Sequence, residues 1–329
     1  MIQFRKISLA LTIGLITSFI PMPNAYSEFS LEGNISEEKD EKRYLISKSD
    51  VPTGQDAQVN GKLGDFPVLE VFGAGAPGSG VIIAKKGNYY YAISANHVIG
   101  ELLKGDELEV KTIDKVYHTA EVLVQDNEFD AALIRFNSNN KYYPALIDPN
   151  TTATNGIASI ANGYALASKE AKSGYLRSSS GKVISVIPGN KDGYNILYSS
   201  PTNVGMSGGA IYTIRTKGRQ AIHGMTQNLS TDKRYIKAKE DWDNSGISYT
   251  KYKGEFYCNS LWTPALIGIH GRAESYRAGG KSGASMGMPI LPLLSKFQKT
   301  LLEHGIKSLP HELDTEMFKD ACEIYKANY

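Results

Sequence analysis

The chain has 329 residues with 36 basic and 34 acidic side chains, a formal net charge of +2, and 41% hydrophobic content. The near-balance removes any general electrostatic argument for nucleic acid or an anionic membrane as partner, and the apolar content is that of an ordinary folded protein long enough for two domains. Its two cysteines, Cys258 and Cys322, form no CxxC or histidine-rich cluster, so the sequence implies no metal and no other cofactor.

From the N-terminus, residues 1–27 read as a secretory signal peptide. Arg5 and Lys6 supply a basic start, Ile7–Ile20 an apolar centre, and Ala25-Tyr26-Ser27 a small-x-small cleavage site. The apolar run is shorter than the ~20 residues that span a bilayer, and Pro21 and Pro23 follow it. A secreted or periplasmic protein without a stable membrane anchor is expected. Residues 28–66 are polar, with a mixed-charge run Glu37–Arg43, and have little to bury.

The next segment, 67–145, contains short apolar or alternating runs at Val68–Phe72, Val81–Ala84, Tyr89–Ser94, Thr119–Val124 and Ala131–Phe136. Strands of this length between turn residues predict an all-β unit. Gly73-Ala74-Gly75-Ala76-Pro77-Gly78 matches the GxGxxG pattern of dinucleotide-binding loops. A strand rather than a helix follows it, and Pro77 removes an amide that a phosphate would need, so the nucleotide reading is discarded. A stretch rich in Asn, Tyr, Pro and Thr, Asn137–Asn155, separates the halves. The second unit, 146–291, resumes the strand pattern at Gly156–Tyr164, Gly181–Ile187, Tyr194–Ser199, Ala210–Ile214, Ala265–Gly271 and Ala284–Ile290. Residues 292–329 carry apolar side chains at helical spacing, first within Leu291–Glu303 and again within His311–Tyr329, which predicts C-terminal helices.

Chemistry concentrates in three motifs. Gly205-Met206-Ser207-Gly208-Gly209-Ala210 sets a hydroxyl inside a glycine-rich turn, where the main chain can curl so that the amides of Gly205 and Ser207 converge on a developing oxyanion. Ala92-Ile93-Ser94-Ala95-Asn96-His97 ends an apolar strand on a histidine suited to act as general base. Phe129-Asp130-Ala131-Ala132-Leu133 opens another strand on a carboxylate suited to orient an imidazole. The order His97, Asp130, Ser207 is that of the chymotrypsin-like proteases, not of subtilisins or α/β-hydrolases.

On these motifs the chain resembles the bacterial trypsin-like serine peptidases, on the side of the glutamyl endopeptidases. Gly78-Ser79-Gly80-Val81-Ile82-Ile83, Leu266-Ile267-Gly268-Ile269-His270-Gly271 and Gly287-Met288-Pro289-Ile290 are similar to further strands of that family. The resemblance implies two antiparallel six-stranded β-barrels with the site in the cleft between them. It implies hydrolysis of peptide bonds in protein or peptide substrates, with Ser207 as nucleophile, His97 as base, Asp130 as its orienter, and Gly205 and Ser207 as oxyanion donors. Residues 28–66 then read either as an unstructured leader or as a pro-segment whose removal activates a zymogen. About 45 residues separate the strand after Ser207 from the substrate-binding strand, more than in the family, so 226–264 reads as an insertion, either a lid or exosite or a surface decoration. The insertion leaves two histidines for the specificity pocket. His270, with Gly271, is preferred over His223, and Thr202 stands where the glutamyl endopeptidases carry a threonine, which implies a preference for acidic residues at the cleaved position. A non-catalytic binding module on the same fold, and an esterase, are the alternatives. The sequence leaves open whether Cys258 and Cys322 pair.

Overall fold

The computed structural model describes residues 65–168, 171–189, 193–214, 220–221, 247–252, 255–261, 264–273 and 284–311. The signal segment, residues 28–64, His223, Cys322 and the terminal stretch 312–329 lie outside the described residues.

The first barrel is built from β1 (Val68–Phe72), β2 (Gly78–Lys86), β3 (Tyr89–Ala95), β4 (Glu107–Lys111), β5 (Tyr117–Asp126) and β6 (Ala131–Asn137). All neighbours are antiparallel in the order β1-β2-β3-β6-β5-β4, and pairing of β1 with β4 closes the ring. Successive side chains on a strand point to opposite faces, and here both faces are covered. Leu69, Val71, Ile82, Tyr90, Ala92, Ile134 and Phe136 fill the barrel. Their neighbours Val68, Val81, Ile83, Tyr91, Ile93 and Leu133 belong to a second cluster shared with the other barrel. That is why the sequence reads Val-Ile-Ile and Ala-Ala-Leu-Ile as unbroken apolar runs instead of alternating ones.

The second barrel takes β7 (Ala158–Ala165), β8 (Tyr175–Val186), β9 (Ile196–Tyr198) and β10 (Ala210–Ile214). The chain then forms a separate three-stranded sheet from β11 (Gln220–Ala221), β12 (Ile247–Tyr252) and β13 (Glu255–Leu261), in the order β11-β13-β12. It returns as β14 (Pro264–Ala273) and β15 (Ser285–Pro289), closing the barrel in the order β10-β14-β15-β9-β8-β7. The residues of the sequence-predicted insertion thus include the hairpin β12–β13, and Cys258 stands on its second strand. Ala161, Val183, Ile196, Tyr198, Met206, Ile211 and Ile267 form the interior of this barrel.

A helical turn α1 (Asn96–Ile99) follows β3, and α2 (Ile290–Glu303) follows β15. Leu293, Leu294, Phe297 and Leu301 turn one face of α2 into the cluster between the barrels. Its end is fixed to the first barrel, where Lys86 Nζ donates to the His304 carbonyl (3.1 Å) and the imidazole of His304 meets the Arg135 guanidinium (3.2 Å). Among the described residues no helix is long and apolar enough to cross a membrane.

Among the barrel strands, two depart from the sequence expectation. β4, Glu-Leu-Glu-Val-Lys, and the first half of β8, Tyr-Leu-Arg-Ser-Ser-Ser, are strands although their composition is polar. Each has a largely solvent-facing side, and ladder hydrogen bonds to apolar neighbours, not local propensity, hold it extended. The fold is the chymotrypsin/trypsin-like one, two closed six-stranded antiparallel barrels with few helices.

Candidate active site

His97 is delivered by β3 and lies on α1, and Asp130 directly precedes β6. The β3–β6 register, Ala95 opposite Ala131, sets the two side by side. Three bonds lock them together. Asn96 N–H donates to the Asp130 carbonyl (2.8 Å), His97 N–H donates to Asp130 Oδ1 (2.9 Å), and His97 Nδ1 meets Asp130 Oδ2 at 2.6 Å. Holding both oxygens this way puts Asp130 in the left-handed region, φ 45°, a conformation that aspartate tolerates better than most residues. Burial works to raise the Asp130 pKa, but hydrogen bonds from His97 and Tyr194 and the nearby imidazole hold it below the usual carboxylate value. An ionised Asp130 fixes the proton on Nδ1, so Nε2 carries the free lone pair. The imidazole side chain is 47% exposed, open to the cleft.

Ser207 sits on a turn of the second barrel closed by Met206 N–H to the Asn203 carbonyl (3.1 Å) and Gly209 N–H to the Met206 carbonyl (2.9 Å). Gly205 and Gly208 have φ of 90° and 84°. A Cβ on Gly208 would stand 2.0 Å from the Ser79 carbonyl oxygen, so both conformation and space demand glycine there. Two grips hold the turn. From the first barrel, Ser79 N–H donates to the Ser207 carbonyl (2.7 Å) and the Ser79 hydroxyl to the Gly205 carbonyl (2.8 Å). From β14, His270 exchanges main-chain bonds with Gly208 and Gly209 (2.7 and 2.8 Å). In these contacts the Gly205, Ser207 and Gly209 carbonyls accept and the Gly208 amide donates. Among the described residues neither the Gly205 nor the Ser207 amide donates to a protein acceptor. The Ser207 hydroxyl donates to the Gly271 carbonyl at 2.9 Å, not to His97.

The candidate pocket residues follow the same strands. His270, on β14, is 3% exposed, and its Nδ1 meets the Tyr198 hydroxyl at 2.7 Å. Burial lowers its pKa to about 4, so the imidazole is neutral near pH 7. Thr202 Oγ1 lies 2.7 Å from Ser285 Oγ, which in turn donates to the Ser200 carbonyl (3.2 Å). The structure places His270 and Gly271 against the Ser207 turn and ties Thr202 to Ser285 of β15, while His223 falls outside the described residues.

Two further residues hold the site and carry little sequence signal. Ser79 is fully buried, accepts from Tyr164 N–H (2.8 Å), and accepts at its carbonyl from the Ser94 hydroxyl (2.7 Å). A serine inside Gly-Ser-Gly-Val-Ile-Ile and another inside Ala-Ile-Ser-Ala were the only clues, small polar interruptions of buried runs. Tyr194, in a Gly-Tyr-Asn connection before β9, donates its hydroxyl to Asp130 Oδ2, and nothing local marks it.

A histidine and an aspartate come from one barrel and a serine turn from the other, in the chain order found in chymotrypsin-like serine peptidases. Residues 78–219 match the family model of the trypsin-like peptidase domain, a span that includes His97, Asp130 and Ser207 and ends before β14. Among solved structures the chain is similar to the serine endoprotease from Yersinia pestis, at 19% identity over 78% of this chain and 69% of that one, with a TM-score of 0.49. No curated protein matches the chain.

Proposed function

We propose that this chain is an exported serine endopeptidase that cleaves peptide bonds through His97, Asp130 and Ser207, with a preference for acidic residues at the cleaved position. One observation carries the reading: the 2.6 Å contact between His97 Nδ1 and Asp130 leaves Nε2 as a base, while two unused amides flank the Ser207 hydroxyl. In the reaction the Ser207 hydroxyl leaves the Gly271 carbonyl, gives its proton to His97 Nε2 and attacks the scissile carbonyl carbon. The resulting oxyanion accepts from the Gly205 and Ser207 amides, donors worth ~3–4 kcal/mol each in comparable sites. The imidazolium, steadied by ionised Asp130, returns the proton to the departing amine. Water then releases the acyl group by the same route in reverse.

The acidic preference rests on Thr202 and His270. With its pKa lowered to about 4, His270 contributes hydrogen bonding and not charge. A substrate lacking the matching carboxylate leaves pocket donors unpaired at ~1–3 kcal/mol, so the preference for Glu over Gln is modest, roughly 10- to 100-fold. Export, supported by the basic-apolar-small pattern of residues 1–27, and activation by removal of residues 28–66 complete the proposal.

The test is mass spectrometry of the exported protein after an organophosphorus serine-reactive probe, with mapping of the modified residue and of the mature N-terminus. Labelling at Ser207 that is lost in His97→Ala, with a Ser207→Ala protein that folds but turns over no peptide, is the expected result. A folded, processed protein that takes no label, or a Ser207→Ala variant as active as the parent, would overturn the proposal. A peptide library with Glu, Gln or Lys at the cleaved position reads the specificity, and Thr202→Val should narrow the margin of Glu over Gln.

A further inference from the structure

Tyr194 lies outside the three residues that the sequence points to, yet it touches both halves of the site. Its hydroxyl donates to Asp130 Oδ2, the same oxygen that faces His97 Nδ1. Its ring lies against Gly271, whose carbonyl accepts from the Ser207 hydroxyl, and a Cβ on Gly271 would stand 1.7 Å from Tyr194 Cε1. Arg272 lies over the ring, its guanidinium carbon 4.5 Å from the centroid. The preceding residue is also committed: Gly193, at φ 70°, passes so close to the turn before β6 that a Cβ would lie 2.7 Å from Phe129 Cα. Tyr194 is 6% exposed. A phenol seated on one glycine and approached through another is a built position, not a chance surface contact.

On this geometry we propose that Tyr194 is a positioning residue of the proposed peptidase site, which fixes the Asp130 carboxylate from the second barrel and makes its alignment with His97 depend on the docking of the two barrels. Asp130 receives its other donors, the His97 amide and imidazole, from the first barrel alone. Tyr194 supplies the donor that comes from the strand system carrying Ser207. The other charged groups nearby are committed elsewhere, since Glu128 on the same turn pairs with Lys296 of α2 at 2.8 Å and Asp126 caps the Phe129 amide. Losing the Tyr194 hydroxyl would therefore leave Oδ2 with the His97 imidazole as its single partner and remove the carboxylate's tie to the second barrel. A donor to an ionised acceptor is also one of the interactions that keep Asp130 charged as pH falls.

This inference rests on the peptidase reading, and its test separates the two. Tyr194→Phe removes the hydroxyl and keeps the ring that Gly271 accommodates. Three quantities are compared with the parent in the exported, processed protein: the rate of probe labelling at Ser207, the acid limb of the kcat/KM profile, and the low-field NMR resonance of the proton between His97 Nδ1 and Asp130, which needs no turnover. The expected result is labelling slowed about tenfold, an acid limb moved to higher pH, and a bridging proton that exchanges faster with solvent. Wild-type labelling rate, acid limb and resonance in Tyr194→Phe would overturn the positioning role and leave the peptidase reading standing. A slower enzyme with unmoved acid limb and resonance would also overturn it, as a packing effect. A parent protein that takes no label would defeat the peptidase reading, and the NMR comparison would then decide on Tyr194 by itself.

Discussion

Replacing Lys111 by methionine removes the cation from an ion pair that is almost wholly enclosed. Glu70 on β1 lies opposite Lys111 on β4 in the strand register, and its side chain is 0% exposed against 11% for the lysine. The carboxylate contacts Lys111 Nζ and accepts from the Ser173 hydroxyl (2.8 Å) and the Gly174 amide, both from the β7–β8 loop of the second barrel. The ammonium donates to Ser173 Oγ at 2.6 Å and sits 5.4–5.9 Å from the rings of Phe72, Tyr117 and Tyr164. Lys111→Met would strand a buried carboxylate, for which a loss of ~3–5 kcal/mol is typical. The two donors that remain place the expectation near the lower end, ~3 kcal/mol, since each hydrogen bond to a charged group retains ~1.5–3 kcal/mol.

Glu70→Gln leaves the cation among three rings and a hydroxyl and should lose ~2–3 kcal/mol, because the aromatic faces and the hydroxyl partly compensate it. The double variant Glu70→Gln/Lys111→Met removes both charges from a site that excludes water. It should recover to within ~1 kcal/mol of the parent. Urea unfolding of the four proteins gives the coupling energy from the double-mutant cycle, and the midpoints of the parent should hardly move with added salt, since buried pairs are weakly screened. Additive single effects, with the double variant losing about 5 kcal/mol or more, would refute the claim that these charges matter to one another more than to water.

The remaining predictions concern the site. His270 resists protonation, so between its ordinary pKa of 6.5 and about 4 the unfolded chain takes up a proton that the folded one refuses. Stability falls as pH drops through that window, by up to about 3 kcal/mol, and His270→Gln should flatten the pH dependence of the urea midpoint there; an unchanged slope would count against a buried neutral imidazole. Gly208→Ala must fit a Cβ 2.0 Å from the Ser79 carbonyl at φ 84°. It should lose at least ~1–3 kcal/mol of stability and nearly all probe labelling at Ser207, both readable on one purified sample.

The residues that carry the proposed chemistry were legible because that chemistry imposes local rules. An oxyanion turn needs glycines beside the nucleophile, and a base and its orienter sit at the ends of buried strands, so Ser207, His97 and Asp130 stand out in a single sequence. Most strands were legible too, since runs such as Val81-Ile82-Ile83 are apolar enough to be buried whatever their partners. β4 and the first half of β8 were not, because their extended form comes from ladder bonds to apolar neighbours distant in the chain.

What only the tertiary structure decided is how these parts meet. The left-handed Asp130, the Ser207 hydroxyl turned to Gly271, the grip of Ser79 on the serine turn, the burial that keeps His270 neutral and the reach of Tyr194 across the barrels all join residues remote in the chain. The side chain involved is an ordinary serine or tyrosine, and its local sequence is compatible with many surroundings. Composition and periodicity report which surfaces must be buried. Which hydrogen-bonding group then faces which is settled by the register of two closed barrels and by their docking, since leaving a buried polar atom without a partner is costly.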